Sequence, residues 1–530
     1  MIPTTKSSTS RRSGRPPVTI RRARRQQLQE QQGLAEAILS IGSAAAAAAG
    51  ITQAQLTDAE VQAWRQDLEG RLATIQQQAE QNLGVIEEQI ALATREPMRR
   101  LAERAAQAKA NATPCQCLKC RQELRHQKYL ARTIDSRFGP LRVFRYYGWC
   151  PDCEQWQFPA DHPLGLSRNA PASPYVQELC ALLGSKMPPE QAVLVAQRLG
   201  LKLSRCTLDR EAHRQGLRAQ AARTAHLSEL DTWQGLQALS AASEGPPAQP
   251  FTLVIEIDAW NIRERDHWGQ TEAWRAKGEK LSRWHWVYVG TVFRLDHRAH
   301  TASGRAIISQ RAYAVTRAGV EALIRQLYYQ ALVCGLGQAK EVLVIADGAL
   351  WIWNAVADRF PDARQRLDLY HGEEHLWSVA HELYGKDTPE ARQWVEPLLS
   401  QLRRDDGPAL TRSLQELQPR LAQGLQEKVQ KQIDYFENNA RRMEYREILK
   451  ARKAVKKGTA TPVQILKANE PLGSGAVEST CRQYQCRFKR TGQFWSRAGD
   501  EALMCLETFW RNDKWHELFP HAKTTTAPLN

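Results

Sequence analysis

Three carboxylates in the second half of the chain stand where acidic side chains would bind metal ions. Asp258 closes the apolar run FTLVIEIDAW, and Asp347 closes a second one, EVLVIADGALWIW. Glu478 follows a Gly-Ser-Gly turn and leads into a segment whose other charges are almost all positive. Three hard oxygen donors can bind two Mg²⁺ or Mn²⁺ ions about 4 Å apart, which is an arrangement for in-line phosphoryl transfer. The residue types therefore predict a two-metal site beside a polyanion.

Four cysteines form a second constellation, in two C-x2-C knuckles. Cys117 and Cys120 make the first knuckle, and Cys150 and Cys153 make the second, with two β-rich runs between them around a turn expected at Gly139-Pro140. Two knuckles joined by a hairpin supply the four soft ligands of tetrahedral zinc, so this spacing predicts a structural zinc ribbon. Cys115 is an alternative to Cys117 as the ligand. Buried or redox-active thiols without a metal are the other interpretation.

The elements around the acids must bring them together. Strands are expected in FTLVIEIDAW, WHWVYVGTVFRLD and RAIISQRAYAV, then a helix near residues 320–336 and a strand that ends at Asp347. This order, with carboxylates ending the first and fourth strands, predicts a ribonuclease H-like core. In that core the first and fourth strands are neighbours, which would bring Asp258 and Asp347 together. The segment of about 130 residues before Glu478 is too long for a loop, and its composition predicts a helical insertion.

A helix-turn-helix is one interpretation of EQAVLVAQRLGLKLSRCTLDREAHRQG. The first helix would stop at Gly200, and Ser204 would cap a second helix that carries Arg205, Arg210 and Arg214 toward a major groove. An ordinary helical hairpin is the other interpretation. Downstream of Glu478, a further set of cations is expected to meet DNA phosphates, namely Arg482, Arg487, Lys489 and Arg490.

Composition gives broader limits. The net charge of +16 and pI near 9.4 favour an acidic polymer as partner, although a ribosome or a membrane surface would also fit. We expect no membrane segment. The odd count of eleven cysteines, five of them crowded between Cys115 and Cys153 and the rest scattered, indicates a reducing cytosol rather than a disulfide framework. Trp351, Trp353 and Trp495 are candidates for base stacking, but core packing is the default for aromatic residues at such positions.

We therefore expect a multidomain α/β chain that includes additional helical regions. The expected segments are a disordered basic arm (1–32), helices that could self-associate (33–112), the zinc ribbon (113–168), the helix-turn-helix region (169–235), a linker (236–250), the first part of the core (251–377), the helical insertion (378–468), the second part of the core (469–515) and a tail (516–530).

The motifs taken together resemble bacterial insertion-sequence transposases of the DDE type, most closely the ISKra family. The resemblance spans residues 115–510 and is carried by IDAW, VLVIADGALWIW, LDLYHGEEHLW, YFENNARRMEY and PLGSGAVESTCRQYQCRFKRTGQFWS, with the paired knuckles upstream. In these enzymes the segment ARRMEY runs by a short connection into the Gly-Ser-Gly motif, whereas here KARKAVKKGTATPVQILKANEP intervenes.

The resemblance implies that Asp258, Asp347 and Glu478 are the catalytic acids. Asp368 and His371 match a D-x2-H signature that lies near the active site of related Mutator-like enzymes, and the other interpretation is that they only hold a turn or a helix end. It also implies binding of double-stranded DNA at transposon ends and target, metal-dependent strand cleavage and transfer, and a dimer or larger assembly in the bacterial cytosol. A nuclease of the same fold that only hydrolyses DNA or RNA, and a non-catalytic DNA-binding regulator, are the alternatives.

Overall fold

The computed structural model describes residues 58–77, 82–167, 170–242, 250–265, 271–278, 283–301, 306–496 and 498–521. The expected basic arm, residues 33–57 and the end of the expected tail lie outside this set. The chain forms two units, which are described separately. The first is Met1–Gln177 with Leu194–Leu203, and the second is Glu178–Val193 with Ser204–Asn530.

In the residues described, the first unit places two long helices beside a small antiparallel sheet. Its helices are α1 (Asp58–Gln77) and α2 (Leu83–Asn111), and its strands are β1 (Arg125–Ser136), β2 (Gly139–Cys150) and β3 (Gln155–Gln157), in the order β1-β2-β3. The β1–β2 turn lies at Arg137-Phe138, because Ser136 already pairs with Gly139. The turn expected at Gly139-Pro140 is thus two residues too late.

Four helices follow the small sheet along the chain. They are α3 (Pro174–Lys186), α4 (Pro189–Arg198), α5 (Arg205–Ser228) and α6 (Trp233–Ala242). Ser204 is the N-cap of α5, and its hydroxyl accepts a hydrogen bond from the backbone N–H of Thr207 at 3.0 Å. Gly200 has φ +80°, which stops α4 before the turn. The helix boundaries are those expected of a helix-turn-helix, and its role in reading DNA stays a prediction.

The second unit is built on a mixed five-stranded sheet in the order β10-β9-β4-β5-β8. Its strands are β4 (Thr252–Glu264), β5 (Arg283–Arg294), β8 (Ala312–Thr316), β9 (Glu341–Ala346) and β10 (Arg364–Leu367). Strands β4, β9 and β10 are parallel, and β5 is antiparallel to both β4 and β8. The third expected strand is split: β7 (Ala306–Ile308) pairs with β6 (Arg298–His300) in a separate ribbon, since Ser309 turns to donate its N–H to His297.

Helices cover both faces of this sheet. The short helix α7 (Thr271–Ala276) lies between β4 and β5 in the chain, and α8 (Val320–Val333) and α9 (Leu350–Arg359) pack on one face, against residues such as Ile255 and Ile257. The opposite face packs on α16 (Gly475–Phe488) and α17 (Gly499–Arg511) through residues such as Trp260 and Ile262. Strand β4 is therefore buried from both sides, as its continuous apolar run predicts.

The expected insertion is helical throughout. Its helices are α11 (Pro389–Arg403), α12 (Gly407–Leu417), α13 (Gln423–Asn439), α14 (Arg446–Lys456) and α15 (Pro462–Ala468), preceded by α10 (Leu369–Tyr384). They share a core of buried leucines and aromatic residues that includes Leu376, Leu402, Phe436 and Tyr445.

Helices cross two of the expected boundaries. The linker placed at 236–250 begins inside α6, which continues to Ala242 because Leu239 packs against Tyr329 and Leu332. The tail placed at 516–530 begins inside α18 (Trp515–Leu518), and Phe519 beyond it is buried in the same core. In both places a tertiary contact extends order past the point where local composition turns polar.

Candidate functional site

Asp258 and Asp347 lie together at one end of adjacent parallel strands. The β4–β9 register pairs Ile257 with Ala346, so each aspartate is the next residue along its chain. Burial raises the pKa of Asp258 above its ordinary value, and the negative charge of Asp347 raises it further. The two carboxylates are thus close enough to interact electrostatically, as expected from the strand order.

Glu478 reaches the same place from helix α16. It lies in the first turn of α16, and the buried carboxyl of Glu256 accepts a hydrogen bond from the N–H of Val477 at 2.9 Å. Burial raises the pKa of Glu478, and the charges of Asp368 and Asp258 add to this, whereas Arg482 at 3.6 Å lowers it. One region therefore holds the three predicted acids.

The three acids do not form a ligand cluster as tight as that of the cysteines in the part of the chain that the structure describes. Among the described residues, only the cysteine quartet places three or more potential ligand atoms all within 4.8 Å of one another. Two ions about 4 Å apart, each about 2 Å from its ligands, accept end ligands roughly 8 Å apart. Asp258 interacts electrostatically with both Asp347 and Glu478.

The backbone around Asp347 is supported by the helical insertion. Its Oδ1 accepts a hydrogen bond from the N–H of Ala349 at 2.9 Å, and its carbonyl oxygen accepts one from the Tyr435 hydroxyl at 2.8 Å. Gly348 has φ +94°, and a Cβ there would lie 2.8 Å from Leu367 and 2.8 Å from Tyr435. Only glycine fits this turn.

Asp368 has a supporting position rather than an open one. Its side chain is buried, and Oδ1 accepts hydrogen bonds from the N–H groups of Tyr370 at 2.7 Å and His371 at 3.2 Å. Oδ2 accepts from the N–H of Ser474 at 2.7 Å and from its hydroxyl at 2.6 Å. A Cβ at Gly473 would lie 2.5 Å from Oδ1. Asp368 therefore caps α10 and fixes the turn that leads to Glu478.

His371 lies beside the acids and is more exposed than Asp368. Its charge when protonated would lower the pKa of Asp258, and its ring contacts His375 edge-on at 4.9 Å between centroids. The ring of His375 stacks on Tyr435 at 3.9 Å. These contacts connect the D-x2-H segment with the support of Asp347.

Two residues of this site are absent from the sequence-based set. Glu256 stands two positions before Asp258, and the alternation of a strand puts both on one face. That signal was present in FTLVIEIDAW. Tyr435 lies in YFENNARRMEY, far from Asp347 in sequence, and nothing local links it to the site.

The predicted DNA-contacting cations divide into exposed and buried groups. Those that are exposed are Arg205, Arg210, Arg482, Lys489 and Arg490. Arg205 lies 3.0 Å from Glu190, and Arg214 is partly buried and pairs with Glu211. Farther along α5, the backbone of Ala502 lies 2.7 Å from where a Cβ at Gly216 would be, so this part of the helix packs against α17.

Arg487 corrects the expectation that it contacts phosphate. Its side chain is buried, and Nε and Nη2 donate to the carbonyl oxygen of Gly184 at 3.1 and 2.9 Å. The guanidinium also lies over the rings of Phe488 and Trp495. Burial lowers its pKa to about 10. The residue therefore stabilises the fold of the second unit.

The tryptophans considered for base stacking are mostly core residues. Trp353 and Trp495 are buried, and Trp495 donates its indole N–H to the carbonyl oxygen of Phe488 at 2.8 Å. Trp351 is half-buried and meets Tyr288 edge-on at 5.3 Å. The default expectation of core packing holds for the first two.

The first unit contains the cysteine quartet. The sulfurs of Cys117, Cys120, Cys150 and Cys153 lie within 4.8 Å of one another, and Cys115 lies outside the group. The residues that directly follow the knuckles, Arg121 and Glu154, have φ +65° and +49°.

The environment of Cys117 favours a thiolate. N–H groups of Cys120 and Lys119 and the Gln157 amide, which is 3.1 Å from the sulfur, lower the pKa of Cys117 to about 6. Four soft donors in this arrangement can hold one structural zinc ion and leave no open coordination position.

Comparison with protein-family models and with curated proteins finds no match. Across the described ranges, every helix is too short or too polar to cross a bilayer.

Proposed function

We propose that the chain is a DDE-type DNA transposase with a ribonuclease H-like core. The observation that carries this proposal is the convergence of Asp258 on β4, Asp347 after β9 and Glu478 in the first turn of α16. Three carboxylates on the central sheet and a helix fixed to it match the donor set that divalent metal ions need for phosphoryl transfer.

The topology of the second unit supports the fold assignment. An antiparallel set, β4, β5 and β8, is followed by α8 and by two parallel strands, β9 beside β4 and β10 beside β9. The fourth strand is thus the neighbour of the first, and the helical insertion lies between the fifth strand and the helix of the third acid. This is the order expected of a ribonuclease H-like core interrupted before its last acid.

Asp258, Asp347 and Glu478 would hold two Mg²⁺ or Mn²⁺ ions. When bound, the ions supply Lewis-acid activation of an attacking hydroxyl and stabilisation of the leaving oxygen. The chain's own residues orient the ligands: Glu256 anchors α16, Asp368 fixes the preceding turn, and Tyr435 holds the Asp347 backbone.

The remaining charges suit a DNA partner in the bacterial cytosol. Arg482, Lys489 and Arg490 lie on or just beyond α16 and are exposed, and they would contact DNA phosphates. Arg205 and Arg210 at the start of α5, or the zinc ribbon, would read the terminal inverted repeats. Synapsis of two ends requires a dimer or a larger assembly.

Cleavage and joining on a labelled duplex test this proposal. The duplex should carry the inverted repeat that flanks the gene, with Mn²⁺ or Mg²⁺ added, and wild type should be compared with Asp258→Asn, Asp347→Asn and Glu478→Gln. Glu374→Gln is the matched control, because Glu374 is an exposed carboxylate near the same site. We expect metal-dependent nicking and joined product in wild type and the control, and neither in the other three variants.

Binding of the duplex must survive in the inactive variants. Cleavage without joining by wild type would favour a hydrolytic nuclease instead. Binding with no cleavage under any metal condition would favour a non-catalytic regulator.

A further inference from the structure

Two large aromatic side chains are exposed side by side on strand β5. Trp284 and Trp286 are 55% and 53% exposed, and their i, i+2 spacing puts them on one face about 7 Å apart. Tyr288 continues the row and contacts Trp351. Single exposed hydrophobic residues are ordinary, but an aligned row of exposed rings on one strand forms an apolar patch of the kind found at binding sites.

Cations surround these rings. Arg263 is directly opposite Trp284, with its guanidinium carbon 5.0 Å from that ring and 5.5 Å from the ring of Phe494. The guanidinium carbon of Arg265 is 6.0 Å from Phe494, and the ammonium of Lys489 is 5.8 Å from Trp284. Aromatic faces interleaved with positive charge are the features that bind bases and phosphates of single strands.

The surface is held rigidly to the elements that carry the acids. The backbone N–H of Trp495 donates to the carbonyl oxygen of Arg263 at 3.0 Å, and the carbonyl oxygen of Trp495 accepts from the backbone N–H of Arg265 at 2.9 Å. Lys489 caps the end of α16, and its ammonium donates to Asn261 at 3.1 Å. The surface therefore connects strand β4, which carries Asp258, with helix α16, which carries Glu478.

The geometry of the sheet gives the route from the acids to this surface. Strand β4 pairs with β9 only as far as Ile257, so beyond Asp258 it leaves β9 behind. Trp286 and Trp284 pair with Asn261 and Arg263, three and five residues farther on, which is about 10 and 17 Å along the strand. The rings lie on the sheet face opposite to Asp258. Lys489, at the end of α16, contacts Asn261 and the ring of Trp284 on the face of the rings.

We infer that Trp284 and Trp286, with Arg263 and Lys489, bind unpaired nucleotides of a DNA strand that leaves the catalytic acids. The inference rests on the proposed function. The neighbouring cations favour a polyanion over a second copy of this basic chain, since the buried Glu264 is already paired with Arg283 and Arg317.

Binding without divalent metal separates this site from catalysis. The full chain should be titrated against a fluorescein-labelled 20-nucleotide thymidine strand and against a fully paired duplex, by anisotropy. Trp284→Ala/Trp286→Ala should weaken single-strand binding at least about fivefold for each ring lost and leave duplex binding within about twofold. Trp284→Phe/Trp286→Phe should keep most of the affinity. Trp233→Ala is the matched control, because Trp233 is 73% exposed on α6.

Equal single-strand affinity of wild type and the alanine double variant would overturn the inference. An equal loss of affinity for the single strand and the duplex, together with a lower melting temperature, would also overturn it. So would a dimer in wild type that becomes monomeric in the alanine double variant while the affinity for the single strand stays the same. Failure of the proposed function is distinguishable, because it would appear as absent cleavage while the tryptophan-dependent binding persists.

Discussion

The carboxyl of Glu256 accepts the backbone N–H of Val477 at 2.9 Å, and this hydrogen bond fixes the start of helix α16 to strand β4. Glu478 is the next residue along α16, and Asp258 is two residues along β4. The hydrogen bond therefore sets the relative position of two of the three proposed catalytic acids. Glu256 is buried, and burial raises its pKa from 4.5 to about 8.

The raised pKa of Glu256 predicts a pH-dependent stability. Because its pKa is higher in the folded state than in the unfolded state, its stabilising effect is complete below pH 4.5 and is lost as pH rises through about 8. Between those two pH values, the free energy of unfolding falls by up to about 1.4 kcal/mol for each unit by which the pH rises. Glu256→Gln removes this titration and keeps an acceptor for Val477. Urea unfolding at pH 5 and at pH 8 measures the free energy of unfolding. That free energy should fall more between the two pH values in wild type than in Glu256→Gln, and an equal fall in both proteins would contradict the assignment.

Asp368 is expected to act on folding as well as on activity. Asp368→Ala leaves the N–H groups of Tyr370, His371 and Ser474 without their acceptor, which should cost about 2 to 4 kcal/mol of unfolding free energy. Glu478→Gln should leave the melting temperature nearly unchanged, because Glu478 is half-exposed. Thermal denaturation of both variants makes the comparison. A melting temperature for Asp368→Ala equal to that of wild type would point to a direct role in metal binding instead.

Tyr435 is expected to tune metal binding at a distance. Tyr435→Phe removes the hydroxyl that donates to Asp347 but keeps the ring stacked on His375. The stability cost should be about 1 kcal/mol. The Mn²⁺ concentration for half-maximal cleavage should rise about tenfold, since groups that orient metal ligands have effects of this size. Gln430→Ala, on an exposed part of the same helix, is the control, and an unchanged Mn²⁺ requirement for Tyr435→Phe would exclude the role.

Short-range patterns predicted the parts of the site that depend on a single element. Asp258 and Asp347 end apolar runs, the two knuckles have fixed spacing, and Ser204 precedes a helical segment, so each was visible in a few consecutive residues. The expected order of the strands also brought Asp258 and Asp347 to neighbouring strand ends. The ribonuclease H-like core itself stays a proposal, supported by that order.

What the sequence did not reveal depends on long-range packing. The run of cations after Glu478 does not show which face of α16 is buried, yet Arg487 follows the apolar positions Val477, Cys481 and Tyr484 around the helix. Tyr435 reaches Asp347 only because the insertion folds back onto the sheet. Helix α6 continues into the expected linker because Leu239 finds an apolar surface on α8.

Arg487 and Arg490 should therefore differ in what they affect. Arg487→Ala removes a buried side chain and two hydrogen bonds to Gly184, and it should lower the unfolding free energy by about 2 to 4 kcal/mol. Arg490→Ala should change stability by no more than about 0.5 kcal/mol, because the side chain is exposed. It should weaken duplex binding and reduce the salt dependence of binding by about one ion. Denaturant titration and binding at several salt concentrations would show the contrast, and a reversed pattern would refute it.

Zinc content gives the most direct test of the cysteine quartet. Wild type should contain one zinc ion per chain, and Cys150→Ser should lose it, because its sulfur is one of four that lie within 4.8 Å of one another. Cys115→Ser should keep the ion, since Cys115 lies outside that group although it is two residues from Cys117. Elemental mass spectrometry measures the content. Ligand binding and folding are coupled at such sites, so loss of zinc should also open residues 113–168 to proteolysis while the sheet of the second unit stays folded. Retention of zinc by Cys150→Ser, or its loss from Cys115→Ser, would show that a different set of ligands holds the ion.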